Sequence, residues 1–307
     1  MLAASVVVFT VLDVLPGNAA EVILGESATP ESVAALSAKL GLDQPALVRY
    51  ANWMKGLATG ELGTSIAYDT PIAQLVGERL AVTVPLALMA MLLTTALAFS
   101  LGLFAASHHG RVGDVAVMSV SQLGIALPSF WFAILLIWLF AVKLRWFSAG
   151  GFPGWDAAEG GGIGPGLRAL VLPAVAQAVV QASILARIVR SAVLDVARED
   201  FVRTARAKGQ SPRGVLWGHV LRNAMVPVLT VMGLQFASLL AGTVVIEQVF
   251  ALPGLGRLVF QAIANRDLPV VRTVILLLAA SIVVINFAVD VLYVVIDPRL
   301  RARARTT

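Results

Sequence analysis

The sequence predicts an all-α polytopic membrane protein with about six transmembrane helices, the first of them short or truncated. Of the 307 residues, 58% are hydrophobic and only 13% are charged, and the mean hydropathy is +0.86. Soluble domains are about 45–50% apolar and about 25% charged, so this composition excludes an ordinary soluble enzyme. The chain has no cysteine, which excludes disulfides, thiolate metal sites and cysteine catalysis.

Five segments have the length and composition of a membrane span, which needs about 20 mostly apolar residues. None of the five contains a charged residue. The apolar pattern of the third segment continues past Arg187, and that of the fifth continues past Asp290. The segments are 80–107, 115–142, 169–186, 223–246 and 273–289. Pro128 and Pro173 lie inside the second and third of these, and we expect kinks there because proline lacks the N–H that a helix uses.

Residues 1–16 are predicted to form a partial first transmembrane helix. Residues 1–12 are uncharged and rich in valine, but Asp13 and Leu15-Pro16-Gly17 end the pattern. About 15 residues are too few to cross roughly 30 Å of hydrocarbon at about 1.5 Å per residue. Either this helix is short and tilted, or Met1 is not the true start and the chain begins upstream. We favour the second interpretation.

The distribution of lysine and arginine predicts the orientation, because basic residues concentrate on the cytoplasmic side of a membrane. If segments 108–114, 187–222 and 297–307 are cytoplasmic, they carry 13 basic and five acidic residues. The loops on the other side carry ten of each when Glu247 is counted with the span that it ends. We therefore expect a multi-pass membrane protein with both termini in the cytoplasm. The basic tail, 301–307, is expected to contact anionic lipid.

Residues 17–79 form a polar segment on the predicted outer face, and helix signals recur through it. Thr29-Pro30 and Thr70-Pro71 each combine an N-cap residue with proline at the first helical position, and Gly41 can end the first of these helices. Pro45 begins another. We expect an extracytoplasmic loop with short amphipathic helices that lie on the membrane surface or against the helix bundle.

The segment after the span at 169–186 combines helix caps with an apolar stripe. We predict one continuous helix over residues 187–208, supported by an ion pair between Glu199 and Arg203. Gly209 ends this helix, and Ser211-Pro212 caps and begins another. Such a segment is too polar for lipid and apolar on one side, which predicts docking into a groove of a cytoplasmic partner. The alternative is an ordinary basic loop, which explains the charge but not the caps.

The part of this segment at 197–222 resembles the EAA loop of the permease subunits of binding-protein-dependent ABC importers, in the dipeptide, oligopeptide and nickel branch. The resemblance rests on Arg203-Thr-Ala-Arg-Ala-Lys-Gly209, followed by His219-Val-Leu-Arg-Asn-Ala224 and Pro227. The general family pattern has Glu-Ala-Ala where this chain has Arg203-Thr204-Ala205, and the missing glutamate is typical of the peptide branch. Five other stretches are similar to that branch: 40–45, 60–65, 247–256, 266–269 and 297–299.

This resemblance implies an ABC importer permease-like bundle, with five spans over residues 80–300. The chain would be a non-catalytic subunit that moves dipeptides, longer peptides, nickel chelates or related small solutes across the inner membrane. Implied partners are a second permease of different sequence, two cytoplasmic ATPases, an extracytoplasmic solute-binding protein and membrane lipid, but no nucleic acid. The chain itself would bind no cofactor and no metal, and ATP and Mg²⁺ would bind to the ATPases.

The resemblance also assigns contact with the ATPase to individual positions. Gly209 would let the chain turn tightly, Ala205 would permit close approach, and the basic side chains would offer charge to the ATPase surface. The residues assigned to this contact are Phe201, Arg203, Thr204, Ala205, Arg206, Lys208 and Gly209.

Polar residues within the spans are candidates for the translocation path, chiefly Gln235, Ser238 and Glu247. The alternative for such residues is a hydrogen bond or ion pair between helices. Ionisable residues at membrane depth also permit a different function, an ion-gradient-driven secondary transporter that uses Glu247 and Asp290. Against that function stand the small number of spans and the capped cytoplasmic segment.

Overall fold

A computed structural model of the protein describes residues 1–14, 19–25, 28–39 and 41–296, and most of these residues are helical. The shorter helices are α1 Leu2–Val14, α2 Ala19–Leu24, α3 Pro30–Lys39, α4 Ala46–Thr59, α6 Val112–Ala126, α7 Ser129–Leu136, α9 Asp200–Ala207, α10 Pro212–Val215 and α12 Leu255–Ala264. The longer ones are α5 Ile72–Ser107, α8 Ile163–Val196, α11 Leu221–Val249 and α13 Leu268–Ile296. Within the described ranges, β pairing is limited to one bridge between Thr64 and Pro71.

Four helical stretches are long and apolar enough to cross a membrane, which confirms the predicted spans at 80–107, 169–186, 223–246 and 273–289. They are Ile72–Ser107, Ile163–Val196, Pro212–Val249 and Leu268–Ala288. Helix α1 has 13 residues and reaches about 20 Å, less than the roughly 30 Å of hydrocarbon. The described residues therefore provide four spans, or five with the bent pair described next, rather than six. The end predicted at Leu15-Pro16-Gly17 and the basic tail lie outside these residues.

The predicted kink at Pro128 is a complete break. Helix α6 ends at Ala126, α7 begins at Ser129, and the two meet at 101°. Leu127 is extended, with φ −84° and ψ 125°, as expected for a residue before proline, which disfavours the helical region there. A π-helix, Ile137–Lys143, continues α7. Proline at 173 has no such effect, because α8 runs through it without interruption.

The helices form two compact units, the first of which comprises Met1–Val84 and Leu252–Ser281. Thr29 caps α3, where its Oγ1 accepts a hydrogen bond from the Ser32 N–H at 3.2 Å, as the sequence predicts. The first turns of α5 are buried against α12 and the start of α13. The cluster comprises Ile72, Leu75, Val76, Leu255, Leu258, Ala262, Val270, Val271 and Val274.

A buried hydrogen bond in this first unit joins two stretches that are far apart in sequence. The Ser65 hydroxyl donates to Oδ2 of Asp267 at 2.5 Å, and the Ala67 N–H donates to the same oxygen at 3.2 Å. The Asp267 carboxylate also accepts from the Val270 N–H at 3.4 Å, so it caps α13. Two of the stretches that resemble the importer family, 60–65 and 266–269, are thus in contact.

The second unit comprises Pro85–Ala251 and Ile282–Thr307, and α8 is its most buried helix. Small residues allow other helices to approach α8 closely. A Cβ atom at Gly102 would lie 2.8 Å from Val189, and one at Gly124 would lie 2.3 Å from the hydroxyl of Ser183. Glycine at these positions therefore permits the close packing of α5 and α6 on α8 that is common between membrane helices.

Candidate functional site

The segment that resembles the EAA loop is two short helices rather than the end of one long helix. The prediction of a continuous helix over 187–208 is wrong, because α8 ends at Val196 and α9 begins at Asp200. Glu199 is extended, with φ −65° and ψ 149°, and it does not pair with Arg203. Arg203 instead lies 3.4 Å from Asp200, and both side chains are exposed.

The turn after α9 has the predicted local structure. Gly209 adopts a left-handed conformation, with φ +80°, which glycine accepts without the strain that a Cβ atom causes. The Ser211 hydroxyl accepts a hydrogen bond from the Gly214 N–H at 3.2 Å, and Pro212 occupies the start of α10. A π-helical turn, Leu216–Val220, then joins α10 to α11.

The apolar side of α9 packs against its own chain. Val202 and Ala205 are 0% and 6% exposed, and they lie in one cluster with residues of α8, α10 and α11. The other members with which they share this core include Val189, Ala192, Val193, Val215, Val220, Ala224 and Val228. This burial explains the break after Val196, since a straight continuation of α8 would leave Val202 and Ala205 exposed. It also removes Ala205 from the surface on which a partner was expected to approach it.

The opposite side of α9 is exposed and carries the other predicted contact residues. Phe201 is 43% exposed, and the Arg203 side chain is 73% exposed. Thr204, Arg206, Lys208 and Gly209 are also exposed. The Thr204 hydroxyl donates to the carbonyl oxygen of Asp200 at 3.0 Å. The exposed side of α9 therefore carries basic side chains and one aromatic side chain.

A second exposed aromatic residue, Trp217, follows α10 and was not singled out in the sequence. It is 62% exposed, whereas Val215 and Val220 on either side of it are buried. The contrast between a large aromatic residue and buried valines two and three positions away is the sequence signal that could have identified it. We call Phe201, Arg203, Arg206, Lys208 and Trp217 the docking surface.

Near the end of α8, a charged cluster fixes the loop between α5 and α6. Arg190 donates two hydrogen bonds to Asp114, from Nε to Oδ1 at 2.6 Å and from Nη2 to Oδ2 at 2.7 Å. The Gly110 N–H donates to Oδ2 at 3.0 Å, and His109 Nδ1 lies 3.3 Å from the same oxygen. Asp114 is 3% exposed, so this pair is a structural contact of the loop with α8.

The predicted path residues all lie on α11 and have different surroundings. Gln235 is 5% exposed, and its Nε2 donates to the backbone oxygen of Gln181 at 3.1 Å, which links α11 to α8. Ser238 is exposed and donates to the Leu234 carbonyl of its own helix at 3.1 Å. Glu247 is fully buried. The Asp290 side chain lies outside the described residues.

Together, the apolar spans and the exposed basic segment between α8 and α11 define a polytopic, all-helical membrane protein. Two family models match nearly the whole chain. The model for the "binding-protein-dependent transport system inner membrane component" family matches residues 98–302. The model for the N-terminal part of the membrane component of the same systems matches residues 1–87. The chain belongs to this family, the membrane permeases of ABC importers, in which separate ATPases hydrolyse ATP and a binding protein takes part.

Curated relatives are similar over nearly their full length. A putative peptide transport system permease of Brucella abortus (strain 2308) is 46% identical over 302 residues, which cover 98% of this chain and 95% of the relative. The dipeptide transport system permease DppB of Alkalihalophilus pseudofirmus is 37% identical, with 98% and 95% coverage. The di/tripeptide permease DppB of Pseudomonas aeruginosa is 39% identical, with 95% and 92% coverage.

A solved structure supports the fold. In inward-facing conformations of the MetNI methionine ABC transporter, one chain is similar to 74% of this chain, with a TM-score of 0.60 and 18% identity. The similarity covers 98% of that chain. It establishes the all-helical permease fold, which agrees with the fold predicted from the sequence.

Proposed function

We propose that this chain is the membrane-spanning subunit through which an ATP-driven importer moves peptides or chemically related small solutes. The observation that carries the proposal is the similarity to peptide, dipeptide and di/tripeptide permeases over 95–98% of the chain. Similarity of this extent includes both the spans and the cytoplasmic segment. Peptides are therefore the first cargo to test.

In this proposal, an ATPase binds the docking surface and moves it. Phe201 and Trp217 are the apolar anchors, because exposed aromatic side chains supply much of the energy of protein interfaces. Arg203, Arg206 and Lys208 complement acidic groups on the ATPase and orient it. If the open and closed ATPase contact this surface differently, ATP hydrolysis shifts the permease between its inward-open and outward-open states.

The assembly that we propose contains two ATPases, this chain and a sister permease of different sequence, with a solute-binding protein on the outer side. Both termini are cytoplasmic, because this orientation places 13 basic and five acidic residues inside. The loop at 17–79 then faces the binding protein. ATP and Mg²⁺ bind to the ATPases, and this chain holds no cofactor of its own.

Among the predicted path residues, Ser238 is the one whose side chain is exposed along α11, and we propose it as a contact for the cargo. Gln235 instead links α11 to α8 through Gln181. Its contribution to transport is to hold the two helices together.

The test is uptake of a labelled dipeptide by the assembled complex in proteoliposomes. We expect uptake only when the ATPases can hydrolyse ATP, with a non-hydrolysable analogue as the control. Uptake driven by a proton or sodium gradient without ATP would contradict the proposal and direct attention to Glu247 and Asp290. Uptake of nickel chelates but not of peptides would support the ATP-driven mechanism and show that the cargo is a nickel chelate rather than a peptide.

A further inference from the structure

The first unit contains a cavity of about 430 Å³ that the proposed coupling does not use. Helices α1, α4 and α13 contribute Phe9, Trp53 and Arg272 to its lining, and the chain between α4 and α5 contributes Glu61 and Ile66. Pockets for small ligands typically have volumes of about 300–1,000 Å³. The cavity is therefore large enough for a small organic solute.

One side of the cavity is aromatic and held rigidly. The rings of Phe9 and Trp53 are stacked, with centroids 6.1 Å apart, and Tyr50 packs edge-on against Phe9 at 5.3 Å. The Tyr50 hydroxyl lies 2.8 Å from Oγ of Ser5, which fixes this cluster to α1. Such a wall favours a ligand with an apolar or aromatic group.

Two lining residues have buried donors without an acceptor among the described residues. They are Nε of Arg272 and Nε1 of Trp53, and Trp53 is only 6% exposed. The guanidinium carbon of Arg272 lies 5.5 Å from the centre of the Trp53 ring, so the two side chains that carry these donors are adjacent. Buried donors are nearly always hydrogen-bonded in folded proteins. Because these two nitrogens have almost no accessible surface, an acceptor from the cavity reaches them only when the side chains that cover them shift.

The charges around the cavity indicate which kind of acceptor is needed. Arg49 is paired with Asp13 at 2.5 Å and donates to the Gln44 carbonyl at 3.1 Å, so its charge is largely compensated. Arg272 has no acidic side chain within 4.0 Å in the described part of the chain. Glu61 also lines the cavity, but it is exposed. The buried side of the cavity is therefore cationic.

We propose that this cavity binds the carboxylate of a small solute that also carries an apolar group. Arg272 is the counter-charge, the Trp53 N–H is a second donor, and the apolar group of the solute packs on Phe9 and Trp53. Arginine suits this role because its fork of N–H groups matches the two oxygens of a carboxylate. This binding does not depend on ATP, so it can be tested separately from the proposed import.

The test uses two probes that have the same shape and differ in charge. The full chain, assembled with its partners in lipid nanodiscs without ATP, is titrated with N-acetylphenylalanine and with N-acetylphenylalaninamide by calorimetry. Because a hydrogen bond to a charged group is worth more than a neutral one, we expect the carboxylate to bind at least ~10-fold more tightly. Equal affinities, or no binding of the carboxylate, would overturn the proposal.

Three variants locate the binding. Arg272→Gln is expected to weaken binding of the carboxylate by at least ~10-fold and to leave the amide unaffected. Trp53→Phe keeps the ring and removes the donor, so a weakening of about 3-fold or more is expected. Lys55→Gln removes an exposed positive charge from α4, outside the cavity, and should change neither affinity.

Unchanged affinity in a folded Arg272→Gln protein would overturn the site. If Arg272→Gln does not fold, Trp53→Phe and the two probes on the original protein decide the question. Normal ATP-dependent uptake combined with absent carboxylate binding would reject this site alone and leave the proposed import intact.

Discussion

Arg190 on α8 holds Asp114 at the start of α6 through two parallel hydrogen bonds, at 2.6 and 2.7 Å. The two residues are 76 positions apart in sequence. The Asp114 side chain is 4% exposed and the Arg190 side chain is 23% exposed, so loss of the arginine leaves the more deeply buried charge without its partner.

Arg190→Gln is expected to destabilise the protein by about 3 kcal/mol. This is near the lower end of the destabilisation found when one partner of a buried ion pair is removed, because Arg190 is partly exposed. Asp114→Asn should cost less, because the arginine that remains can reach water. The double variant should be more stable than Arg190→Gln alone, since no unpaired charge is left. Thermal unfolding in detergent measures all three, with Arg187→Gln, an exposed position on α8, as control. Equal effects of the two single variants would contradict this account.

Ala205→Glu should reduce the amount of folded protein. We do not expect it to leave the fold intact and separate ATP hydrolysis from transport. The side chain is 6% exposed in the core shared by α8 to α11, and burial of a larger, charged group there costs at least about 3 kcal/mol. Ala207→Glu in the same helix is the matched control, because Ala207 is exposed. The two proteins are compared by yield and by thermal unfolding. Normal stability of Ala205→Glu would show that the packing of α9 differs from that described.

Phe201→Ala and Trp217→Ala should each leave stability nearly unchanged, because these side chains are 43% and 62% exposed. If both are anchors for the ATPase, each substitution should weaken its binding by about 10-fold or more. The measurement is the affinity of the purified ATPase for the permease in nanodiscs. Trp146→Ala, at an exposed tryptophan between the π-helix and α8, is the control. Unchanged affinity in both variants would remove these residues from the interface.

Gly209→Val should impair coupling through the backbone. A Cβ atom at this position has no neighbour within 4 Å, so the substitution meets no clash within the chain. The φ of +80° nevertheless costs a β-branched residue about 1–2 kcal/mol or more, and asparagine tolerates it better. We expect ATP hydrolysis stimulated by the binding protein to fall strongly in Gly209→Val and less in Gly209→Asn. Gly218→Ala, in a helical turn without close neighbours, should retain it.

Ser65→Ala should destabilise the first unit by about 2 kcal/mol, because it removes a hydrogen bond to a buried charged group. Asp267 is 0% exposed, and the donors it keeps among the described residues are the Ala67 and Val270 N–H groups. Asp267→Ala should cost more, since it leaves several donors unsatisfied. Thermal unfolding checks this order, with Thr64→Ala, an exposed neighbour, as control. A Ser65→Ala protein as stable as the control would show that this bond contributes little.

Local sequence signals predicted the parts of the fold that depend on neighbouring residues. Four spans follow from uncharged apolar runs, and the turn after α9 follows from Gly209 and Ser211. Pro128 indicated where a span is interrupted but not that the helix directions differ by 101°. That angle depends on what each helix packs against, which proline itself does not determine.

The features missed by sequence reasoning depend on contacts between distant residues. Nothing in Ala197-Arg198-Glu199 breaks a helix, and the chain turns there because Val202 and Ala205 gain burial in the core. The pairs formed by Asp114 with Arg190 and by Ser65 with Asp267 join residues 76 and 202 positions apart. No spacing rule indicates such contacts in a single sequence.

The packing of α9 determines what happens to a force applied to it. Because Val202 and Ala205 share one core with the end of α8 and the start of α11, a push on Phe201 cannot be absorbed by bending of a loose loop. In the proposed importer, such a push would move the ends of two spans together. Work done by an ATPase outside the membrane would thereby reach helices inside it.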